Sequence, residues 1–168
     1  MSLIQTGYLE YEELAAAQEL PGQERYAQGP VAVIECVQEI PCNPCEVACK
    51  SGAIRIGEPI TNLPVLAAGK CTGCGVCVAK CPGLAIFIVN KTYSETTASV
   101  AFPFEYFPIP QEGAAVKAVN RKGDVVCDAV VLKVMDPKSF DHTPVVTVEI
   151  PKELADEVRG IQRRQRDE

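Results

Sequence analysis

Basic residues are in deficit, long apolar runs are missing, and histidine occurs only once in this sequence. The net charge of -6 argues against a nucleic-acid or anionic-membrane partner, because such surfaces are bound by Lys and Arg that release counterions. A charged partner is instead expected to present a basic face. No stretch approaches the roughly 20 apolar residues that span a bilayer. Residues 1–13 have neither the basic start nor the apolar core of an export signal, so a cytoplasmic location is expected. Nucleotide loops of the GxGxxG or P-loop kind are absent, as is any histidine-carboxylate constellation for acid-base work, so no catalytic site is expected in the chain itself. What remains is 47% hydrophobic and 23% charged, the composition of a globular protein.

Against these shortages stand nine cysteines. A reducing compartment disfavours structural disulfides, which leaves metal binding or redox chemistry as the better explanation. An internal repeat organises six of them. Shifting the sequence by 32 positions lays Cys42, Cys45, Cys49, Ala53, Ile54 and Ile56 on Cys74, Cys77, Cys81, Ala85, Ile86 and Ile88. Each copy reads as a short strand, a cysteine loop running into a helical turn, and a second short strand. The strands are expected at residues 31–36 and 53–56 in the first copy and at 65–67 and 85–89 in the second. Neither copy could bury a core alone.

Cys71, Cys74, Cys77 and Cys81, followed by Pro82, form the C-x2-C-x2-C-x3-C-P run of bacterial ferredoxins, whose fourth cysteine binds the other cluster. Thiolates at three-residue intervals can wrap one iron-sulfur cubane, and Gly73 and Gly75 let backbone amides approach its sulfurs. Zinc is the competing reading, but a tetrahedral ion requires two CxxC pairs, whereas both runs carry further cysteines in the same rhythm. The first run departs from the pattern. Glu39 stands where Cys71 stands in the second, Cys36 is the only nearby thiol, and Lys50 replaces the proline after Cys49. In the crossed arrangement Cys42, Cys45 and Cys81 hold one 4Fe-4S cluster, while Cys71, Cys74, Cys77 and Cys49 hold the other. Cys36 is the expected fourth ligand of the former, since thiolate is the preferred ligand for such iron. Glu39 as an oxygen ligand, or a 3Fe-4S cluster with no fourth protein ligand, are the alternatives. Cys127 lies within an apolar strand pattern and reads as a small core residue. His142 reads as a loop residue.

Over residues 31–90 the sequence resembles the bacterial two-cluster ferredoxins. The segment from Gly29 through Cys36 to Cys45 also resembles the ferredoxin-like small subunits that accompany flavin-dependent amine or amino-acid dehydrogenases of the proline and sarcosine type. That resemblance implies a hetero-oligomer in which a flavoprotein subunit oxidises the substrate and this chain relays electrons. A free soluble ferredoxin and a zinc-stabilised interaction protein are the competing functions.

The expected fold is α+β. A pseudo-twofold ferredoxin-like dicluster core at residues 30–92 follows an N-terminal helical extension at 1–29. The extension holds a helix over residues 8–20, with Tyr11, Leu14 and Ala15 on one side and Pro21-Gly22 as its stop. A strand and proline-aromatic connector at 93–113 leads to a small β module at 114–168. Valine-rich strands are expected there at residues 115–119, 125–134 and 145–150, with a turn at Asn120–Gly123. A final helix beginning at Pro151 would carry Leu154, Val158 and Ile161 on one face, and residues 162–168 are expected to fray.

Overall fold

The computed structural model describes residues 3–163. Two sheets carry the chain. The larger has seven strands in the order β1-β4-β5-β8-β7-β6-β9, and every adjacent pair is antiparallel; β2 and β3 form a two-stranded antiparallel ribbon. The first repeat supplies β1 (Val31–Ile34), α4 (Pro44–Ala48) and β2 (Ile54–Arg55), and the second supplies β3 (Val65–Leu66), α5 (Val76–Lys80) and β4 (Ile86–Asn90). The helices thus sit 32 residues apart at both ends. The strands cross over: β1 pairs with β4, and β2 with β3. Even the registers correspond, for Ile34 opposite Ile86 becomes Leu66 opposite Ile54 when 32 is added to the first number and subtracted from the second. Each repeat therefore completes its partner's ladder.

The remaining strands of the large sheet are β5 (Thr97–Pro103), β6 (Ala115–Val119), β7 (Val125–Met135), β8 (Val145–Pro151) and β9 (Gly160–Ile161). The sheet runs unbroken from β1 to β9, so strands from residues 30–92 and from residues 114–168 share one hydrogen-bonded surface. It also separates two apolar cores. Val31 and Val33 of β1, with Phe87 and Val89 of β4, face a core completed by Tyr26, Phe102, Val146, Val148, Ile150 and Val158. Their neighbours Ala32, Ile34, Ile86 and Ile88 point the other way, into a second core that contains Cys45, Cys77, Val78 and Ile54. Successive side chains of a strand point to opposite faces, and with both faces covered the strands become continuous apolar runs. That is why Val31–Ile34 shows no alternation.

The N-terminal segment holds α1 (Leu3–Thr6), α2 (Tyr11–Ala17) and α3 (Gln23–Tyr26). The helix expected over residues 8–20 is shorter than anticipated, and of its apolar side only Leu14 is fully buried. Glu10 and Glu13 form a reciprocal capping box at its start. The final helix expected from Pro151 does not form. Pro151 stays in β8 opposite Thr97, Lys152–Leu154 makes one 3-10 turn, and the chain then adds β9 to the edge of β6. Val119 and Lys117 offer carbonyls there to the amides of Arg159 and Gln162, and Gly160 weakens the helical alternative. Leu154 still packs on the main core, and Val158 and Ile161 lie within it, by a route other than a helical stripe. Of the residues expected to fray, 164–168 lie outside the described ones. No described helix is long and apolar enough to cross a membrane.

Candidate iron-sulfur site

Each repeat places its cysteines by the same local device. Cys45 is buried on α4 and Cys49 caps its C-terminus; Cys77 and Cys81 stand in the same positions on α5. The chain then turns sharply, with Gly52 N–H donating to the Cys49 carbonyl at 3.0 Å and Leu84 N–H to the Cys81 carbonyl at 3.1 Å. The next amides reach the sulfurs: Ala53 N to Cys49 Sγ at 3.2 Å and Ala85 N to Cys81 Sγ at 3.4 Å. The turn requires a left-handed residue. Gly52 supplies it at φ 64°, whereas Leu84 adopts it at φ 52°, a conformation that costs a side-chain-bearing residue about 1–2 kcal/mol.

The eight thiols divide between two cavities under the sheet. One is lined by Cys36, Cys42, Cys45 and Cys81, with Ile56 and Ile86 beneath. The other is lined by Cys49, Cys71, Cys74 and Cys77, with Ala32, Ile54 and Ile88. Cys49 and Cys81 thus each face the cavity of the opposite run. Cys36 lines the first cavity and Glu39 does not; Glu39 is exposed. Cys127 lines neither cavity and packs against the main core. His142 is exposed in a loop. Among the described residues no three His, Cys, Asp or Glu side chains gather tightly enough to hold a single metal ion. A donor set of four soft thiols around a space suits a cluster that occupies volume.

Burial governs the thiols. It pushes Cys77 up to about 12 and Cys45 up to about 11, and neighbouring thiolates add to the rise. Burial raises Cys36 as well, against a backbone amide at Gln38. A thiol so placed resists ionisation until a cation arrives, and ligation then couples thiolate formation to iron binding. Cys49 differs: burial raises it, yet the Ser51 hydroxyl and the amides of Ile54, Ala53 and Ser51 together hold it below the ordinary thiol range.

Residues without a telling spacing hold the outermost cysteines. Gln18 Nε2 donates to the Cys36 carbonyl. Arg25 donates to the Cys71 carbonyl at 2.8 Å and also to Ala68, Gly29 and Pro30 carbonyls. Glu35, beside Cys36, receives Arg121 through both carboxylate oxygens at 2.9 and 2.6 Å and Arg159 at 2.6 Å. Arg121 and Arg159 lie 86 and 124 residues away along the chain, so no local pattern could reveal the cluster.

Parts of the chain are similar to known proteins. The family model of the 4Fe-4S binding domain matches residues 64–87, which include Cys71, Cys74, Cys77 and Cys81. A subunit of the ion-translocating oxidoreductase complex of Methanosarcina acetivorans is 47% identical over 47 residues, covering 28% of this chain and 17% of that protein. Protein Pixie of Drosophila melanogaster is 30% identical over 106 residues, 54% of this chain and 17% of its own length. Translation initiation factor rli1 of Schizosaccharomyces pombe is 29% identical over 121 residues, 62% of this chain and 20% of its own. The chain spans about a fifth or less of these relatives. No solved structure matches. The chain therefore carries a ferredoxin-type 4Fe-4S binding segment, and the chemistry of that segment is electron transfer.

Proposed function

We propose that this protein is an electron-transfer subunit built on a pseudo-twofold ferredoxin-like core that holds two 4Fe-4S clusters. Cys36, Cys42, Cys45 and Cys81 would ligate the first, and Cys71, Cys74, Cys77 and Cys49 the second. The observation that carries the reading is the division of eight thiols, four and four, between two cavities under one sheet. When bound, such clusters take up and release single electrons at potentials set by hydrogen bonding and exposure. The chain's own part is to orient the sulfurs, to keep water from the buried side through Ile54, Ile86 and Ile88, and to direct amides at Cys49, Cys71 and Cys81.

The larger setting we propose is a flavin-dependent dehydrogenase complex, in a reducing compartment, with this chain relaying electrons for a flavoprotein partner. In support, one relative bears the name of a subunit of an oxidoreductase complex, and apolar side chains such as Val47 and Phe107 stand 77% and 78% exposed. Another relative, rli1, is named as a translation initiation factor, so the relatives are of more than one kind. Anaerobic isolation tests both levels. Iron and acid-labile sulfide near eight each per chain are expected, from the composition of two cubanes; zinc alone would sink the reading. Copurification of a flavoprotein is expected as well, and a stable brown monomer with no flavin attached would favour a free ferredoxin.

A further inference from the structure

The two cysteine turns are closely alike in their backbone bonding, and of the side chains that differ between them one brings a hydroxyl to the sulfur. Cys49 and Cys81 each accept an amide four residues on, and each turn closes with the same backbone bond. Between those points the first turn carries Ser51, and the position 32 residues later is Gly83. Ser51 Oγ lies 3.5 Å from Cys49 Sγ, and Ser51 lines the cavity that also contains Cys71, Cys74 and Cys77. A ligating thiolate has no proton to give, so the hydroxyl must be the donor.

We propose that Ser51 tunes the second cluster, its hydroxyl donating to the Cys49 sulfur and strengthening that cluster's hold on an added electron. The inference rests on the two-cluster reading above. Its physical basis is that reduction adds negative charge to the ligand sulfurs, and a donor dipole already aimed at one of them stabilises that charge. Ser51 is exposed, so solvent screens the dipole and the effect is modest. The first cluster has no such donor at the equivalent site. Gly83 has room for one, because a Cβ built there would stand 3.9 Å from Cys81 Sγ with nothing nearer.

The test is an anaerobic reductive titration of the cluster-loaded protein with dithionite, followed by EPR, on wild type, Ser51→Ala, Ser51→Thr and Gly83→Ser. Ser51→Ala is expected to weaken electron binding at one cluster about threefold, which is about 28 mV at 59 mV per tenfold for one electron. The other midpoint should stay in place, and Ser51→Thr should restore the first. Gly83→Ser should raise the midpoint that Ser51→Ala leaves alone, a result a merely structural serine would not produce. Loaded clusters whose midpoints ignore Ser51→Ala, or shift together, overturn the tuning and leave the two-cluster reading intact. Wild-type protein lacking iron and sulfide overturns both.

Discussion

Glu35 is the residue on which the most separated parts of the chain converge. Its carboxylate receives Arg121 and Arg159, whose side chains are 9% and 5% exposed. Burial pushes the Arg159 guanidinium down from its ordinary pKa, and Glu35 opposes that push. Removing the carboxylate by Glu35→Ala would leave two buried cations facing each other, and a broken buried pair costs about 3–5 kcal/mol. Thermal unfolding of the loaded protein should register a loss of that size. Lys117→Ala, by contrast, breaks only the exposed pair with Asp128 and should shift stability by less than about 1 kcal/mol. Tyr26 gives a pH signature. Burial, with help from Asp156, raises its phenol above the usual 10, so the folded state holds that proton more tightly than the unfolded state. Stability from this source is complete below about pH 10 and declines above it. The free energy of unfolding should therefore fall as the pH rises above about 10, less steeply in Tyr26→Phe.

At the scale of elements, the loop entering α5 decides how the second cavity closes. Gly73 has φ 67°, and a Cβ at that position would meet Pro30 Cβ at 2.7 Å and the Pro30 carbonyl oxygen at 2.9 Å. The same glycine turns its amide toward Cys71 Sγ at 3.5 Å. Gly73→Ala therefore has no relaxed position, and the loop must shift away from β1. Loss of close to half the iron and sulfide is the expected result, with the first cluster retained, read by metal analysis and EPR. The need for glycine among the cysteines was legible from its place in the run. Its close approach to Pro30 was not, because that contact joins segments more than 40 residues apart. The C-terminal strand β9 teaches the same lesson. Leu154, Val158 and Ile161 have helical spacing, yet free carbonyls along β6 and the presence of Gly160 favour a strand.

For the whole molecule, the crossing of the two repeats makes a ligand's run a poor guide to its cluster. Cys81→Ser should disturb the cluster of the first run, and Cys49→Ser that of the second; EPR of each variant would show which signal is lost. The opposite assignment would refute the crossed arrangement. The sheet carries a second consequence. Strand β8 pairs with β5 over Thr97–Pro103, and Val146, Val148, Ile150 and Val158 fill the core beneath β1 and β4. A chain cut after residue 113 would expose the β5 edge and half of that core, which invites association at the edge. Such a chain is expected to aggregate instead of yielding a loaded ferredoxin domain, as size-exclusion under anaerobic conditions would show.

The repeat of 32, the cysteine rhythm and the valine-rich strands are local patterns, and from them the sequence alone determined the thiols, the two helical turns beside them and most of the strands, though not how the strands pair. Periodicity and spacing act over a few residues, which is why they could be read without coordinates. Tertiary structure alone decided that Cys36 and not Glu39 faces the first cavity, that Glu35 gathers two distant arginines, and that the last segment joins the sheet. Each of those outcomes depends on which backbone edge or buried charge happens to lie alongside, a property of the packed chain that no short window of sequence contains.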